Sequence, residues 1–329
     1  MNRYLELVRR FPSARIAVVG DAVADEYLHG TCTRISREAP VLILRYEKTE
    51  TLCGQAANTA MNLLTLGART RIVSVIGPDG SGRALRRLLR DAGGDMQHLM
   101  VVKTLETARK VRIVGGAPHT SHQQLLRIDR VPSCNTREVR AILAREAVRA
   151  VAWADAVVVC DYGGGVVSPA FRRFLLARCR RLKKIVCVDS RYDLTAFRGI
   201  GIATPNESEA REAAGATDSE SLESAGRRLL KRLGSRALLV TQGKLGMTLF
   251  ERGEPAPRHI PVVGPTEAVD ATGAGDTVAA VVTLALAAGG SFEEAARLAN
   301  NAAGIVVMRR GTAQVTPAEL AASVHQYLA

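Results

Sequence analysis

The sequence has little of the material that secreted, membrane-spanning or single-strand-binding proteins use. Aromatic residues make up 4% of the chain, with one tryptophan, so few side chains could stack on unpaired bases. No run of about 18 uncharged apolar residues occurs, so we expect no membrane span. The six cysteines, at positions 32, 53, 134, 160, 179 and 187, include no CxxC pair. Without a secretion signal, we expect free thiols in a cytoplasmic protein.

The composition that is present is typical of a globular protein. The chain has 329 residues, of which 47% are hydrophobic and 23% charged, enough for one large or two modest domains. Lys and Arg number 45 against 32 Asp and Glu, a net charge of +13. Because the basic residues are mostly arginines spread along predicted helices, we interpret them as a solvated surface. We expect no nucleic-acid or membrane partner, although the charge alone leaves nucleic-acid binding open as an alternative.

Strands alternate with helices along most of the chain. Short apolar runs such as RIAVVG, AVVVCD, KIVCVDS and ALLVTQG are each followed or preceded by a helical pattern. This order predicts a three-layer α/β/α fold with a mainly parallel sheet. Two extended segments, at about 27–50 and 100–130, break the pattern and predict a small β-sheet lid inserted in a single domain, residues 1–329.

Polar residues follow several of the predicted strands. Asp21, Asp161, Asp189 and Thr241 each stand just past a strand end, and Asp25 follows soon after the first strand. In open α/β sheets, ligands bind beyond the carboxyl ends of the strands. We therefore predict that Asp21, Asp25 and Asp161 meet a polar substrate, while a plain loop cap remains the alternative for Asp21.

The segment DATGAGDT, residues 270–277, is the strongest single motif. Its glycines allow a tight loop, and a long apolar run beginning at Val278 predicts a helix directly after it. Backbone N–H groups and the helix dipole make such a helix start an anion site. Asp276 stands where a carboxylate could take a proton from a substrate hydroxyl. The alternative is a helix capped by Thr272 or Asp276.

Taken with the alternating pattern, this motif resembles the C-terminal signature of the ribokinase-like (PfkB) carbohydrate kinases. The resemblance implies ATP-dependent phosphorylation of a sugar hydroxyl, with Asp276 as base. It implies an anion hole in the Gly273–Gly275 loop, formed by the backbone N–H groups of Ala274, Gly275 and Asp276. The same resemblance assigns the nucleotide to Asn206, Thr241, Gly243, Gly246, Thr272, Gly275 and Asn301. Asn206 and Glu209 match the Asn-x-x-Glu that orders Mg²⁺, largely through water.

Within this family, the chain is similar to the D-glycero-β-D-manno-heptose-7-phosphate kinases. The segments GDAVADEYLHGTCTRISREAPV and GQAANTAMNLLTLGA carry the similarity, and R-I-S-x-E-A-P-V is the strongest pointer. The resemblance implies a 1,7-bisphosphate product for the lipopolysaccharide core. Some relatives add a nucleotidyltransferase domain, which we do not expect here because the chain stops at Ala329.

The substrate side departs from the family pattern. The sugar-binding Gly-Gly-x-x-Asn is Gly54-Gln55-Ala56-Ala57-Asn58, so Gln55 replaces a glycine. A customary lysine is replaced by Gly164, and the lysine of Asp-Pro-Lys is Arg191. Arg112, Arg127 and Lys110 are candidates for binding a sugar phosphate, with ordinary exposed charge as the alternative. The sugar itself therefore stays open.

Three further expectations concern the nucleotide, the assembly and the alternative functions. Adenine is expected in an apolar slot near Val262, Val263, Ala302 and Val306. Because the edges of small sheets often pair, a homodimer through the lid is expected. Alternative functions are a kinase for fructose 6-phosphate, ribose or a nucleoside, and a non-catalytic sugar-binding regulator.

Overall fold

The computed structural model describes residues 2–117, 123–264 and 267–328. Part of the predicted lid, residues 118–122, therefore lies outside the described residues. The strands are β1 (Arg15–Gly20), β2 (Ala22–Ile35), β3 (Leu42–Gln55), β4 (Arg69–Ile76), β5 (Leu99–Val101), β6 (Arg109–Gly116), β7 (Gln123–Arg130), β8 (Ala156–Asp161), β9 (Ile185–Ser190), β10 (Ile202–Ala203), β11 (Ala237–Thr241), β12 (Met247–Glu251) and β13 (Arg258–Ile260). The helices are α1 (Arg3–Arg10), α2 (Ala56–Thr65), α3 (Gly80–Asp91), α4 (Arg137–Trp153), α5 (Pro169–Arg181), α6 (Glu207–Ala214), α7 (Leu222–Leu233), α8 (Ala274–Ala287), α9 (Phe292–Val306) and α10 (Pro317–Tyr327).

Nine strands form a large sheet in the order β13-β12-β11-β10-β9-β8-β1-β4-β5. The strands from β11 through β5 in this order pair in parallel, while β12 and β13 add antiparallel partners at one edge. The central strand β1 is buried on both faces. Ile16 and Val18 pack on one side, and Ala17 and Val19 pack on the other. This is the pattern of a parallel strand covered twice by helices.

The helices divide between the two faces and complete the three layers. Buried side chains of α1, α2, α3, α8, α9 and α10 join the core on one face. Those of α4, α5, α6 and α7 join the core on the other face. The predicted α/β/α arrangement is confirmed. All six cysteines are free thiols, and five of them are buried. In the part of the chain that the structure describes, no helix has the length and apolar content needed to cross a membrane.

Four strands form a separate small sheet in the order β3-β2-β6-β7. β2 pairs antiparallel with β3 and parallel with β6, and β6 pairs antiparallel with β7. Its first segment is longer than the predicted 27–50, because β2 begins at Ala22 and β3 ends at Gln55. The second segment is shorter than 100–130. Leu99–Val101 pairs with β4 at the edge of the large sheet, so placing it in the lid was wrong.

Candidate active site

A cavity of about 560 Å³ lies between the carboxyl ends of the parallel strands and the small sheet. Its walls combine Asp25, Gln55, Lys110 and Arg112 from the small sheet with Tyr162, Asp189, Arg191 and Thr241 from strand ends, and with Thr272–Asp276 from the loop before α8. A site of this size at the edge of an open α/β sheet is the usual place for a small-molecule ligand. Most of the predicted site residues are brought together here.

The loop before α8 presents two free backbone donors to this cavity. Gly273 is the N-cap, with φ 81°, and no side chain caps the helix. The N–H of Ala274 donates to the carbonyl of Ala271 at 3.2 Å, and that of Thr277 donates to Gly273 at 3.1 Å. Among the described residues, the N–H groups of Gly275 and Asp276 have no partner. They form an anion site at the positive end of the helix dipole, smaller by one donor than predicted.

Asp276 is held by hydrogen bonds from two side chains. Asn58 Nδ2 donates to Oδ2 at 2.9 Å, and the Tyr162 hydroxyl lies 2.9 Å from Oδ1. The Asn58 amide is itself oriented, because its Oδ1 accepts from Gln314 Nε2 at 3.2 Å. Burial raises the pKa of Asp276 to about 6, against the effect of these two hydrogen bonds. The group is thus a carboxylate at neutral pH with a basicity suited to proton transfer.

The Tyr162 hydroxyl connects Asp276 to a second carboxyl group, that of Asp189. It hydrogen-bonds Asp189 Oδ2 while also contacting Asp276. One hydroxyl hydrogen cannot serve both carboxylates, so one of them carries a proton in this arrangement. Burial, and secondarily the charge of Asp276, raise the pKa of Asp189 to about 8. Asp189 therefore holds the proton near neutral pH and leaves Asp276 ionised.

Most of the predicted metal and nucleotide residues line the same cavity. Asn206 caps α6 in a capping box: its Oδ1 accepts from the N–H of Glu209 at 2.9 Å, and Glu209 Oε2 accepts from the N–H of Asn206 at 3.0 Å. Both residues line the cavity. A hard cation prefers carboxylate oxygens. The Glu209 carboxylate faces the cavity and fits a hydrated Mg²⁺ ion held through water.

The nucleotide residues Thr241, Gly243 and Gly246 follow β11 and line the same cavity, together with Lys244. Gly246 has φ 89°, and a Cβ atom there would lie 2.2 Å from the carbonyl oxygen of Ile260. A glycine is therefore required at this turn.

The small sheet contributes positive charge to the cavity. Arg112 Nη1 lies 2.8 Å from Asp25 Oδ1, and both side chains are nearly fully buried. The guanidinium also stands over the Tyr27 ring, 5.2 Å from its centroid. Lys110 also lines the cavity, where its ammonium group interacts with the carboxylates of Asp25 and Asp129. Burial lowers the pKa of Lys110, because the charged ammonium form loses hydration. The ammonium group faces the cavity, where it can bind an anion.

Asp21 and Asp161, predicted to contact substrate, lie outside the cavity lining. The Asp21 carboxylate accepts three backbone N–H groups, from Tyr162 at 3.1 Å, Gly164 at 3.0 Å and Val166 at 3.0 Å. It organises the loop that carries Tyr162. Asp161 is buried beside Asp21, and burial raises its pKa to about 6. Both side chains position this loop, and their contact with substrate stays a prediction.

Arg127 also lies outside the cavity lining. It stands opposite Arg112 in the strand pairing, but on β7, one strand farther from the large sheet. Its guanidinium pairs with Asp129 at 2.8 Å and is half exposed. Arg127 is therefore an exposed charge on a strand, which was the alternative given for it. Arg112 and Lys110, in contrast, line the cavity.

The prediction for α9 is displaced by one residue. Asn301 faces α10, where its Oδ1 accepts from Ser323 at 2.7 Å, and it does not line the cavity. The cavity face carries Asn300, Ala303, Gly304 and Val307 instead. Of the predicted adenine slot, Val262 lines the cavity, whereas Ala302 and Val306 pack in the core. Both faces of α9 carry mainly small apolar side chains, so the hydrophobic periodicity does not indicate which face lines the cavity.

Packing explains Gly54, which keeps the family pattern, and Gly164, which departs from it. A Cβ atom at Gly54 would lie 2.8 Å from the Asp25 carboxyl group, and one at Gly164 would lie 2.7 Å from that of Asp21. Glycine is required at both places. Arg191 lines the cavity where the resemblance expects lysine. Tyr162 is the site residue that sequence reasoning missed; its only signal was an aromatic residue directly after a strand-end aspartate.

The fold and this cavity define an α/β protein with a small-molecule site between its two sheets, and comparison with known proteins identifies the family. Residues 13–319 match the pfkB family of carbohydrate kinases. The chain belongs to this family and is a carbohydrate kinase.

Curated relatives and solved structures agree with this assignment. The protein "Bifunctional protein HldE" of Desulfatibacillum aliphaticivorans is 40% identical over 323 residues, covering 96% of this chain and 64% of the relative. The protein of the same name from Caulobacter vibrioides is 40% identical over 320 residues, with the same coverage. The chain thus spans less than two thirds of these relatives.

Among solved structures, the fold is similar to Arabidopsis thaliana ribokinase complexed with ribose and ATP, with a TM-score of 0.72 and 22% identity over 94% of this chain and 98% of that one. It is also similar to phosphofructokinase-2 from Escherichia coli, with a TM-score of 0.76 and 17% identity over 95% and 99%.

Proposed function

We propose that the protein uses ATP and Mg²⁺ to phosphorylate a hydroxyl of a sugar phosphate, and that D-glycero-β-D-manno-heptose 7-phosphate is this sugar. The observation that carries the proposal is the placement of Asp276 at the free N–H groups of α8. A base and an anion site then stand side by side in one cavity.

In the proposed reaction, Asp276 accepts the proton of the attacking hydroxyl as that oxygen bonds to the γ-phosphorus. The bond from phosphorus to the bridging oxygen breaks, and ADP leaves with its electron pair. Asn58 and Tyr162 hold the carboxylate in position. The N–H groups of Gly275 and Asp276 stabilise charge on the transferred group, and each such donor is worth about 3 kcal/mol in known sites.

ATP would lie along the wall formed by α9 and the turn after β11. Val262, Ala303 and Val307 offer an apolar surface for adenine, and Lys244 and Arg191 offer charge for the phosphates. Glu209 and Asn206, with Asp189 nearby, would hold Mg²⁺ largely through water; the bound cation neutralises phosphate charge.

The sugar phosphate would lie against the small sheet. Lys110 and Arg112 supply charge for its existing phosphate, and Asp25 is positioned for hydroxyl groups. The relatives named HldE and the resemblance to heptose-7-phosphate kinases support heptose 7-phosphate. Small-sheet closure over the sugar would exclude water and limit ATP hydrolysis.

The test measures ADP formation from ATP and Mg²⁺ with heptose 7-phosphate, fructose 6-phosphate, ribose and a nucleoside. We expect heptose 7-phosphate to have the highest kcat/KM. The variant Asp276→Asn should lose about 10²–10⁴-fold in kcat, because the base is gone while its shape is kept. Asp91→Asn, on the exposed end of α3, is the matched control and should keep full activity.

The outcomes separate the parts of this proposal. If another sugar had the highest kcat/KM, that sugar would replace heptose 7-phosphate as the proposed substrate, and the kinase mechanism would stand. No ADP with any sugar, or an unchanged kcat in Asp276→Asn, would refute the mechanism.

We also propose that two copies associate through the small sheet. Leu126 and Ile128 stand opposite Ile113 and Val111, on the face turned away from Arg112. They are 54% and 52% exposed, and Tyr46, on β3, is 61% exposed. Exposed apolar residues concentrated on one sheet favour a covering partner.

A further inference from the structure

Gln55 has a backbone conformation that glycine normally adopts. Its φ is 53° and its ψ is −128°. These angles match the first central residue of a type II′ turn, a position that strongly favours glycine. Among the described residues, Gln55 and Lys183 are the non-glycine residues with positive φ. A side chain at such a position stores strain, and strain of this kind concentrates at ligand sites.

The neighbouring residue, Gly54, is a glycine for a different reason. Gly54 must be glycine because a Cβ atom would collide with Asp25. At residue 55, glycine would relieve the backbone, yet the chain carries a long side chain. The strain is therefore a cost of having a side chain at residue 55, and a contact of that side chain with a ligand would offset it.

The side chain of Gln55 stands in the cavity. It lines the same cavity as Lys110, Arg112 and Asp276 and is half-buried. Within residues 2–117, 123–264 and 267–328, its carboxamide makes no hydrogen bond to protein. A donor and an acceptor are thus offered to the cavity just before α2, whose Asn58 orients the base.

We propose that Gln55 is a specificity-determining contact of the sugar: its carboxamide hydrogen-bonds a hydroxyl next to the one that is phosphorylated. The proposal rests on the proposed function, because it places the sugar between Asp276 and the small sheet. The family pattern has a glycine at this position, which has no side chain to make this contact. The Gln55 carboxamide therefore contributes to sugar selection in this chain.

The test compares Gln55→Gly, Gln55→Ala and Lys183→Gly. Gln55→Gly should raise KM for the sugar about tenfold, with little change in kcat or in KM for ATP, because one hydrogen bond to substrate is lost. It should also raise the melting temperature by about 2 °C, because strain relief exceeds the added flexibility of the unfolded chain. Gln55→Ala should raise KM equally without the gain in melting temperature.

Lys183→Gly is the matched control. Lys183 also has positive φ, at 52°, but it is exposed in the turn after α5. It should leave KM for the sugar unchanged. The measurements are steady-state kinetics with the best sugar of the panel, calorimetric binding of that sugar without ATP, and thermal melting.

Wild-type KM and sugar affinity in both Gln55 variants would overturn the inference while leaving the kinase assignment intact. A wild-type protein that binds a sugar without transferring phosphate would refute the proposed function, and weaker binding by the variants would still support Gln55. If the wild type neither binds nor phosphorylates any sugar, both the proposed function and the proposed role of Gln55 are refuted.

Discussion

At the scale of single residues, the environment of Asp276 predicts a pH dependence. Burial raises its pKa to about 6, and the base acts only when deprotonated. We expect kcat to fall as the pH decreases through about 6. Asn58→Ala removes a hydrogen bond that favours the carboxylate form of Asp276. It should therefore raise the pH at which kcat falls, the acid limb of the profile, by about one pH unit. The kcat profile between pH 5 and 8.5 measures both effects, and a flat profile in the wild type would contradict them.

Tyr162 is the second residue with a testable role. Its hydroxyl orients Asp276 and shares a proton with Asp189. Tyr162→Phe should lower kcat about tenfold and raise the pH of the acid limb, with KM for ATP nearly unchanged.

Tyr192→Phe is the control for the Tyr162 variant. Tyr192 is 69% exposed, and its ring is adjacent to Arg191. It should keep the wild-type profile. Equal effects of the two substitutions would show that the bridge between the carboxyl groups is unimportant.

At the scale of elements, the start of α8 depends on Gly273. Its φ is 81°, and a Cβ atom would lie 2.6 Å from Asn58 Nδ2. Gly273→Ala should cost about 1–3 kcal/mol in the free energy of unfolding and should lower kcat, because Asn58 is displaced from Asp276. Chemical denaturation and initial rates measure the two effects.

Gly289→Ala tests the other end of α8. Gly289 has φ 90°, but its nearest Cβ neighbour is the end of a flexible arginine, at 3.9 Å. It should cost about 1 kcal/mol from conformation alone and leave kcat unchanged. A loss of activity in this control equal to that of Gly273→Ala would indicate general instability and not a specific effect at the anion site.

At the scale of the whole molecule, the site needs both sheets. The large sheet and α8 carry the base, the anion site and the nucleotide wall, while the small sheet carries Lys110 and Arg112. In the proposed function, catalysis and sugar selection therefore lie on different elements, and we expect that a change on the small sheet can alter the sugar without disturbing Asp276.

The outer face of the small sheet predicts the assembly. Leu126→Glu should convert the dimer to a monomer, because it buries a charge in an apolar contact. Phe174→Glu, at an exposed position on α5, is the control and should leave the mass unchanged. Sedimentation velocity at about micromolar concentration measures the mass, in the range where specific dimers persist. A monomeric wild type would refute the association.

Much of this arrangement could be predicted from the sequence. The order of strands and helices, the helix after residues 270–277 and the capping box of Asn206 and Glu209 follow from periodicity, glycine positions and capping residues. These signals act over a few residues, so they do not depend on the rest of the chain.

Other features were decided only by tertiary packing. The Asp21 carboxylate binds the loop at 162–166, and Asn300 of α9 lines the cavity where Asn301 was predicted. The Tyr162 hydroxyl lies between two carboxyl groups. Each depends on how elements far apart in sequence are rotated against one another, which local periodicity does not encode. The sequence by itself determined that a base follows a glycine loop at the start of a helix. Only the packed structure decided which side chains hold that base, because those partners come from strands and helices more than 100 residues away.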